Sequence, residues 1–193
     1  MFLRKAALRP VPDHAVVPPH TVDSLERSLD SDETKLQDRL DGGYRELDRR
    51  QPALAAFLAE ELGTVRDELV QSLGYFLTVT VYLAFKEAFP TRLHEVDAGS
   101  LTMALETLTA DEELRANDPD EILDSDDIVA MGQPSVVAFV QHHVEEALEQ
   151  SDGSADLDEL ERVYRSVLVE IIALSHAVAS RSGQLGPSRE NLA

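Results

Sequence analysis

Apolar residues recur along most of this chain at intervals of three and four, the spacing that puts them on one face of an α-helix. The clearest stripe is Leu157, Leu160, Tyr164, Val167, Ile171, Leu174 and Val178, widened by Val163, Leu168 and Ile172. Asp156, with Glu159 three residues later, resembles a capping box at its start. Gly183 ends it and leaves 184–193 as a loose tail. A second stripe, Leu54, Phe57, Leu58 and Leu62, follows Pro52, and a third, Val136, Val137, Val140, Val144 and Leu148, follows Pro134. Proline is tolerated at the first helical position, so both prolines read as helix starts.

Thr64 is expected to cap a long helix that runs to Phe89 and stops at Pro90. The valines, threonines and aromatics of 73–85 also suit a strand. The apolar pattern begins earlier, at Val65 and Leu69, and continues to Ala88 and Phe89, which favours a helix that is apolar all round at the centre of a bundle. As a helix, the run 73–85 is roughly 20 Å long against the ~30 Å core of a bilayer, so a core helix is expected and no membrane partner.

Elsewhere the signals are weaker. Ser31 is a candidate cap for Asp32 to Leu40, Asp41-Gly42-Gly43 reads as an interruption, and a short helix is expected from Tyr44 to Arg50. Leu101, Ala104, Leu105 and Leu108 suggest one helix, Thr109 to Glu112 a new start, and Asp118-Pro119 a third. Residues 10–20 hold four prolines and read as part of an extended leader over 1–20. The fold class is therefore all-α: a bundle of about six to seven helices in one domain over 21–182, with a flexible tail at 183–193.

The chain also resembles itself. Gln51 to Leu62 and Gln133 to Val144 lie 82 residues apart and share Gln, Pro, one Ala and Phe. The same offset pairs Val81-Tyr82 with Val163-Tyr164. This suggests pseudo-repeated helical hairpins at 51–89 and 133–181, within half-repeats 44–90 and 126–182 joined by an acidic segment 91–125. Convergence on a proline-headed amphipathic helix is the competing explanation.

Composition narrows the function classes. Of 193 residues, 43% are hydrophobic, enough for a core, and none is cysteine, which removes disulfides and thiolate metal sites. No continuous apolar stretch follows Met1-Phe2-Leu3-Arg4-Lys5, so a cytoplasmic location is expected. The net charge is −20, and Glu95 to Glu161 alone holds twenty acids and one base, Arg115, a net of −19. The only basic clusters are Arg4/Lys5/Arg9 and Arg45/Arg49/Arg50, too few to reward a phosphate backbone, so no direct nucleic-acid binding is expected.

Candidate chemistry is sparse. His142, Glu145, Glu146 and Glu149 share a helix face that would hold a hard metal weakly; a solvated polar face is the plainer reading. Neither Glu-x-x-His nor His-Glu-x-x-His occurs. The acidic loops at Asp118 and Asp152 fail the calcium-loop pattern, and nucleotide and nucleophile-elbow motifs are missing. No catalytic, cofactor or metal site is assigned. Three functions stay open. The first is a non-enzymatic helical interaction or adaptor protein, with a homodimer through the 157–178 seam as one outcome. The second is an acidic decoy or buffer for a basic partner, with Asp124, Asp126 and Asp127 as contact candidates. The third is a small-ligand-binding bundle whose polar candidates are Tyr75, Tyr82, Tyr164 and His176.

Overall fold

The computed structural model describes residues 11–29, 33–116 and 125–180. Among them the protein is an all-α bundle of eight helices: α1 (Pro19–Leu29), α2 (Glu33–Arg50), α3 (Pro52–Gly63), α4 (Glu68–Ala88), α5 (Ala98–Ala116), α6 (Ser125–Gly132), α7 (Pro134–Gln150) and α8 (Leu157–Ala177). The proline-headed starts of α3 and α7 lie where the pattern puts them.

Three junctions differ from the pattern. Gly42-Gly43 does not interrupt α2, which is continuous. A Cβ on Gly43 would lie 2.6 Å from Val79 Cγ1, so this glycine lets α2 approach α4 closely. Thr109 to Glu112 is no new start either, because α5 runs through it. Thr64 does not cap α4; it closes α3, and Asp67 caps α4. The start suggested at Asp118-Pro119 lies outside the described residues. Within the proline-rich leader, Val11, Ala15 and Val17 are buried against the body, and Pro19 opens α1.

The core is centred on α4 and α8. Residues 77–85 of α4 and 166–175 of α8 are buried without interruption. Such helices must satisfy their own polar side chains, and here the hydroxyls reach back one turn. Thr80 Oγ1 donates to the Phe76 carbonyl at 2.8 Å and Ser175 Oγ to that of Ile171. By composition α4 passes for a membrane span, yet 67% of its apolar window is buried inside the bundle. Most of the α8 seam is likewise spent within the chain: Leu160, Val163, Val167, Ile171, Leu174 and Val178 are buried and Tyr164 is half-buried, whereas Leu157 at the helix start is 64% exposed.

The N-termini of α4 and α8 meet and cap each other. Asp67 Oδ1 accepts from the N–H groups of Leu69 and Val70, while its Oδ2 accepts from that of Asp156 at 2.9 Å. Asp156 Oδ1 accepts from Asp158 and Glu159. Glu159 does not fold back on Asp156 as a capping box requires. Its Oε2 accepts from Arg66 and Asp67 instead, each at 2.9 Å. At the other end the chain leaving α4 meets the end of α8, where His94 N–H donates to the Ala177 carbonyl. The two central helices therefore run parallel.

The remaining helices correspond in order, α1–α4 with α5–α8. α1 packs on α4 and α7, and α5 packs on α8 and α3; α2 lies on α4 as α6 lies on α8. The gap-free offset of 82 holds for α3 and α7 only. α7 has 17 residues against 12 in α3, and six residues lead to α8 against four to α4. Tyr82 of α4 thus corresponds in helix position to Ile171, not to Tyr164.

Candidate functional site

Two buried glutamines organise the bundle. Pro52 and Pro134 push the preceding residue out of helical geometry, leaving Gln51 at φ −134°, ψ 55° and Gln133 at φ −133°, ψ 58°. Both side chains are turned inward, 2% and 0% exposed. Each amide grips an extended segment at two points. Gln51 donates to the His94 carbonyl at 2.8 Å and accepts from Val96 N–H at 2.6 Å. Gln133 donates to the Ala15 carbonyl at 2.6 Å and accepts from Val17 N–H at 2.9 Å. Gln133 also donates to Ser175 Oγ at 3.0 Å. Each gripped segment leads straight into a helix, 94–96 into α5 and 15–17 into α1, so each half is fastened by the glutamine of the other.

Beside the Gln51 clamp a cleft of about 310 Å³ opens to solvent. The last turn of α2 supplies Glu46, Arg49 and Arg50, the end of α4 supplies Tyr82, Lys86 and Phe89, and the following turn supplies Pro90, Leu93, His94 and Glu95. Glu46 is the organising acid: it pairs with Lys86 and with Arg50 at 3.2 Å. Arg49 has no ion-pair partner among the described residues. Tyr82 is 1% exposed, and its hydroxyl makes no hydrogen bond with a described residue. Tyr82 itself lines the cleft, and its hydroxyl oxygen is not among the fully enclosed atoms that lack a partner, so it reaches that wall. Burial, with Glu46 adding, pushes the phenol up to about 12, so at neutral pH it is a hydrogen-bond donor.

A larger, more open depression of about 620 Å³ lies at the other end, lined by Thr64, Arg66, Asp67, Asp156, Glu159 and Arg162. Its acids are committed to the two helix starts. The backbone N–H of Asp156, with those of Val70 and Leu69, holds the Asp67 carboxyl below its usual range. We therefore place the candidate site at Tyr82, where a buried polar group is uncommitted.

The other sequence candidates fall elsewhere. His142, Glu145, Glu146 and Glu149 line the outer part of α7, and all four are exposed. No group of three metal-capable side chains converges among the described residues. The histidine drawn inward is His143, stacked edge-on against Phe139 and Phe76 at 4.5 and 4.9 Å; burial lowers its pKa. Asp124 lies outside the described residues, as do the side chains of Asp126 and Asp127 at the start of α6. Tyr75 donates to Asp41 at 3.3 Å and packs on Tyr44. Tyr164 and His176 are half-buried on α8. Of the four polar candidates only Tyr82 reaches the cleft.

Sequence reasoning noted Arg49 and Arg50 only as part of a small basic patch. The signal that could have placed them is their spacing from Glu46, three and four residues on, in the turn that Pro52 ends. Glu170, six residues before His176 and so on another side of α8, is fully enclosed, with neither carboxyl oxygen bonded to a described residue. Burial alone holds that carboxyl well above the usual range.

No protein-family model, curated protein or solved structure matches the chain. Among the described residues the protein is an eight-helix bundle with a polar cleft beside a buried glutamine.

Proposed function

We propose that the protein is a non-enzymatic helical binding protein that receives a small ligand in the Tyr82 cleft. One observation carries this reading. A tyrosine that is 1% exposed keeps a hydroxyl without a partner among the described residues at the wall of a 310 Å³ opening. A hydroxyl that no described residue holds, on an otherwise buried side chain at a cleft wall, is available to orient a guest there. The adaptor and acidic-decoy readings have less to stand on. Most of the seam that would serve an adaptor is buried in the chain's own core. For the decoy, a net of −19 over 95–161 has the bland role of solubility beside it. We also read the two runs of four helices as an internal duplication; the matched glutamine geometries support it.

The test is a thermal-shift screen of small molecules of every charge type. A cleft ligand at a hundredfold its Kd adds about 2.7 kcal/mol, or roughly 5–10 °C for a chain of this size. That shift should shrink in Tyr82→Phe. A broad screen without a stabilising compound, or hits indifferent to Tyr82, would refute the reading.

A further inference from the structure

We propose that the ligand of this cleft is a small organic anion whose charged oxygen is held by Tyr82 and Arg49 and whose apolar body rests on Leu93 and the edge of Phe89. The inference rests on the cleft being a binding site and adds the chemistry of its occupant.

The donors decide the sign. Tyr82 presents an O–H that stays protonated far above neutral pH, so it seeks an acceptor. The three cations of the lining are not equivalent: Lys86 and Arg50 are tied to Glu46, whereas Arg49 pairs with no described residue. A guanidinium presents two parallel N–H groups, the geometry that matches a carboxylate or a phosphate. With Glu46 and Glu95 counted, the lining still holds three cations against two acids. In a chain of net charge −20 that is a local reversal, and it favours an anion over a cation.

The walls decide the size. Half-buried Leu93 offers apolar surface; Phe89 adds only an edge, being 4% exposed with Arg92 stacked on its ring at 4.8 Å. A cleft of about 310 Å³ is at the low end for ligand sites and suits a body of one ring or a short chain. Carboxylates and phosphate monoesters share the recognised chemistry, an anionic oxygen on an apolar stem.

The experiment titrates the full chain with benzoate, phenyl phosphate, benzamide and benzylamine, followed by NMR shifts of Tyr82, Phe89 and Leu93. Saturable shifts with benzoate or phenyl phosphate are expected, and the tighter of the two names the headgroup. Tyr82→Phe and Arg49→Gln, both mild changes for folding, should each weaken that probe about tenfold or more. If benzamide binds as well as benzoate, or benzylamine binds better, the cleft is a site but the anion assignment is overturned. If no probe moves these resonances, the anion proposal falls, while the binding reading stands or falls on the broad thermal-shift screen.

Discussion

The clamps at Gln51 and Gln133 share a backbone geometry to within a few degrees, yet one is sealed and the other borders solvent. At Gln133 the lead-in chain packs directly onto the helix end: a Cβ on Gly132 would lie 2.5 Å from that of Val11. α8 supplies Ile171, buried, and Ser175, which joins the clamp. His14 and Arg92 then fasten the chain ends, through Val178 and Ala179. At Gln51 the matching positions are Arg50 for Gly132, Tyr82 for Ile171 and Lys86 for Ser175. Long polar side chains replace small or apolar ones, and a cleft remains. The scaffold therefore explains where two equivalent clamps fall, and these three positions are where their surroundings differ.

The largest expected effect breaks this comparison directly. Gln133→Leu strands the Val17 N–H and the Ala15 carbonyl in a sealed interior and should cost about 3–5 kcal/mol, since each buried polar group left unpaired costs about 1–3 kcal/mol. Gln51→Leu strands an equivalent pair, but the neighbouring cleft admits water, so about 1–2 kcal/mol is expected. Urea denaturation of both variants measures the difference. Equal losses would mean that the Gln51 clamp is as dry as its counterpart.

How much of this was legible in the sequence varies by element. α3, α7 and α8 could be read because each buries a continuous stripe behind a clear start. α2 was split because the partner that makes Gly43 useful, Val79, is far away in sequence. α1 went unnamed because Pro18-Pro19 reads as leader, although Pro19 is a legitimate first helical residue. The two Gln-Pro segments were visible as a resemblance. Their role was not, because glutamine is normally exposed and periodicity says nothing about what an N-terminal side chain grips. Tyr82 was named among four candidates. Its cleft could not be foreseen, because it forms only where the end of α2 meets the end of α4.

A second asymmetry lies inside the core. Glu170 of α8 occupies the helix position that Val81 holds in α4, and it is buried without a partner among the described residues. Glu170→Leu should stabilise the protein at neutral pH by about 1–3 kcal/mol, the usual cost of burying an uncompensated polar group. The pH dependence follows from the raised pKa. Below the unfolded value of about 4.5 both states hold the proton and the carboxyl carries no ionisation penalty. As pH rises, the unfolded state ionises first, so the wild type loses stability until the folded pKa is passed. The advantage of the leucine variant should therefore grow with pH and be least under acid conditions. A gap between the two proteins that is constant from pH 4 to 8 would show that Glu170 is already charged or already paired.

The smallest expected effect concerns the open clamp alone. Tyr82→Phe keeps the buried ring and removes a hydroxyl that bonds to no described residue, so stability at neutral pH should change by no more than about 0.5 kcal/mol. Removing a hydroxyl from a committed hydrogen bond would cost about 1 kcal/mol or more. Ultraviolet titration reads the same group independently. Burial pushes Tyr82 and Tyr75 both up to about 12, so the variant should lose one late-ionising phenol and keep that of Tyr75. Here too the raised pKa sets the sign. The phenol's contribution is complete below pH 10, the unfolded value, and is lost as pH climbs toward 12. Between those limits Tyr82→Phe should outlast the wild type, having nothing to ionise. If the variant is instead weaker by more than 1 kcal/mol at pH 7, the hydroxyl is already engaged within the protein. Tyr82 would then be a structural tyrosine, and the two clamps would differ in packing without differing in purpose.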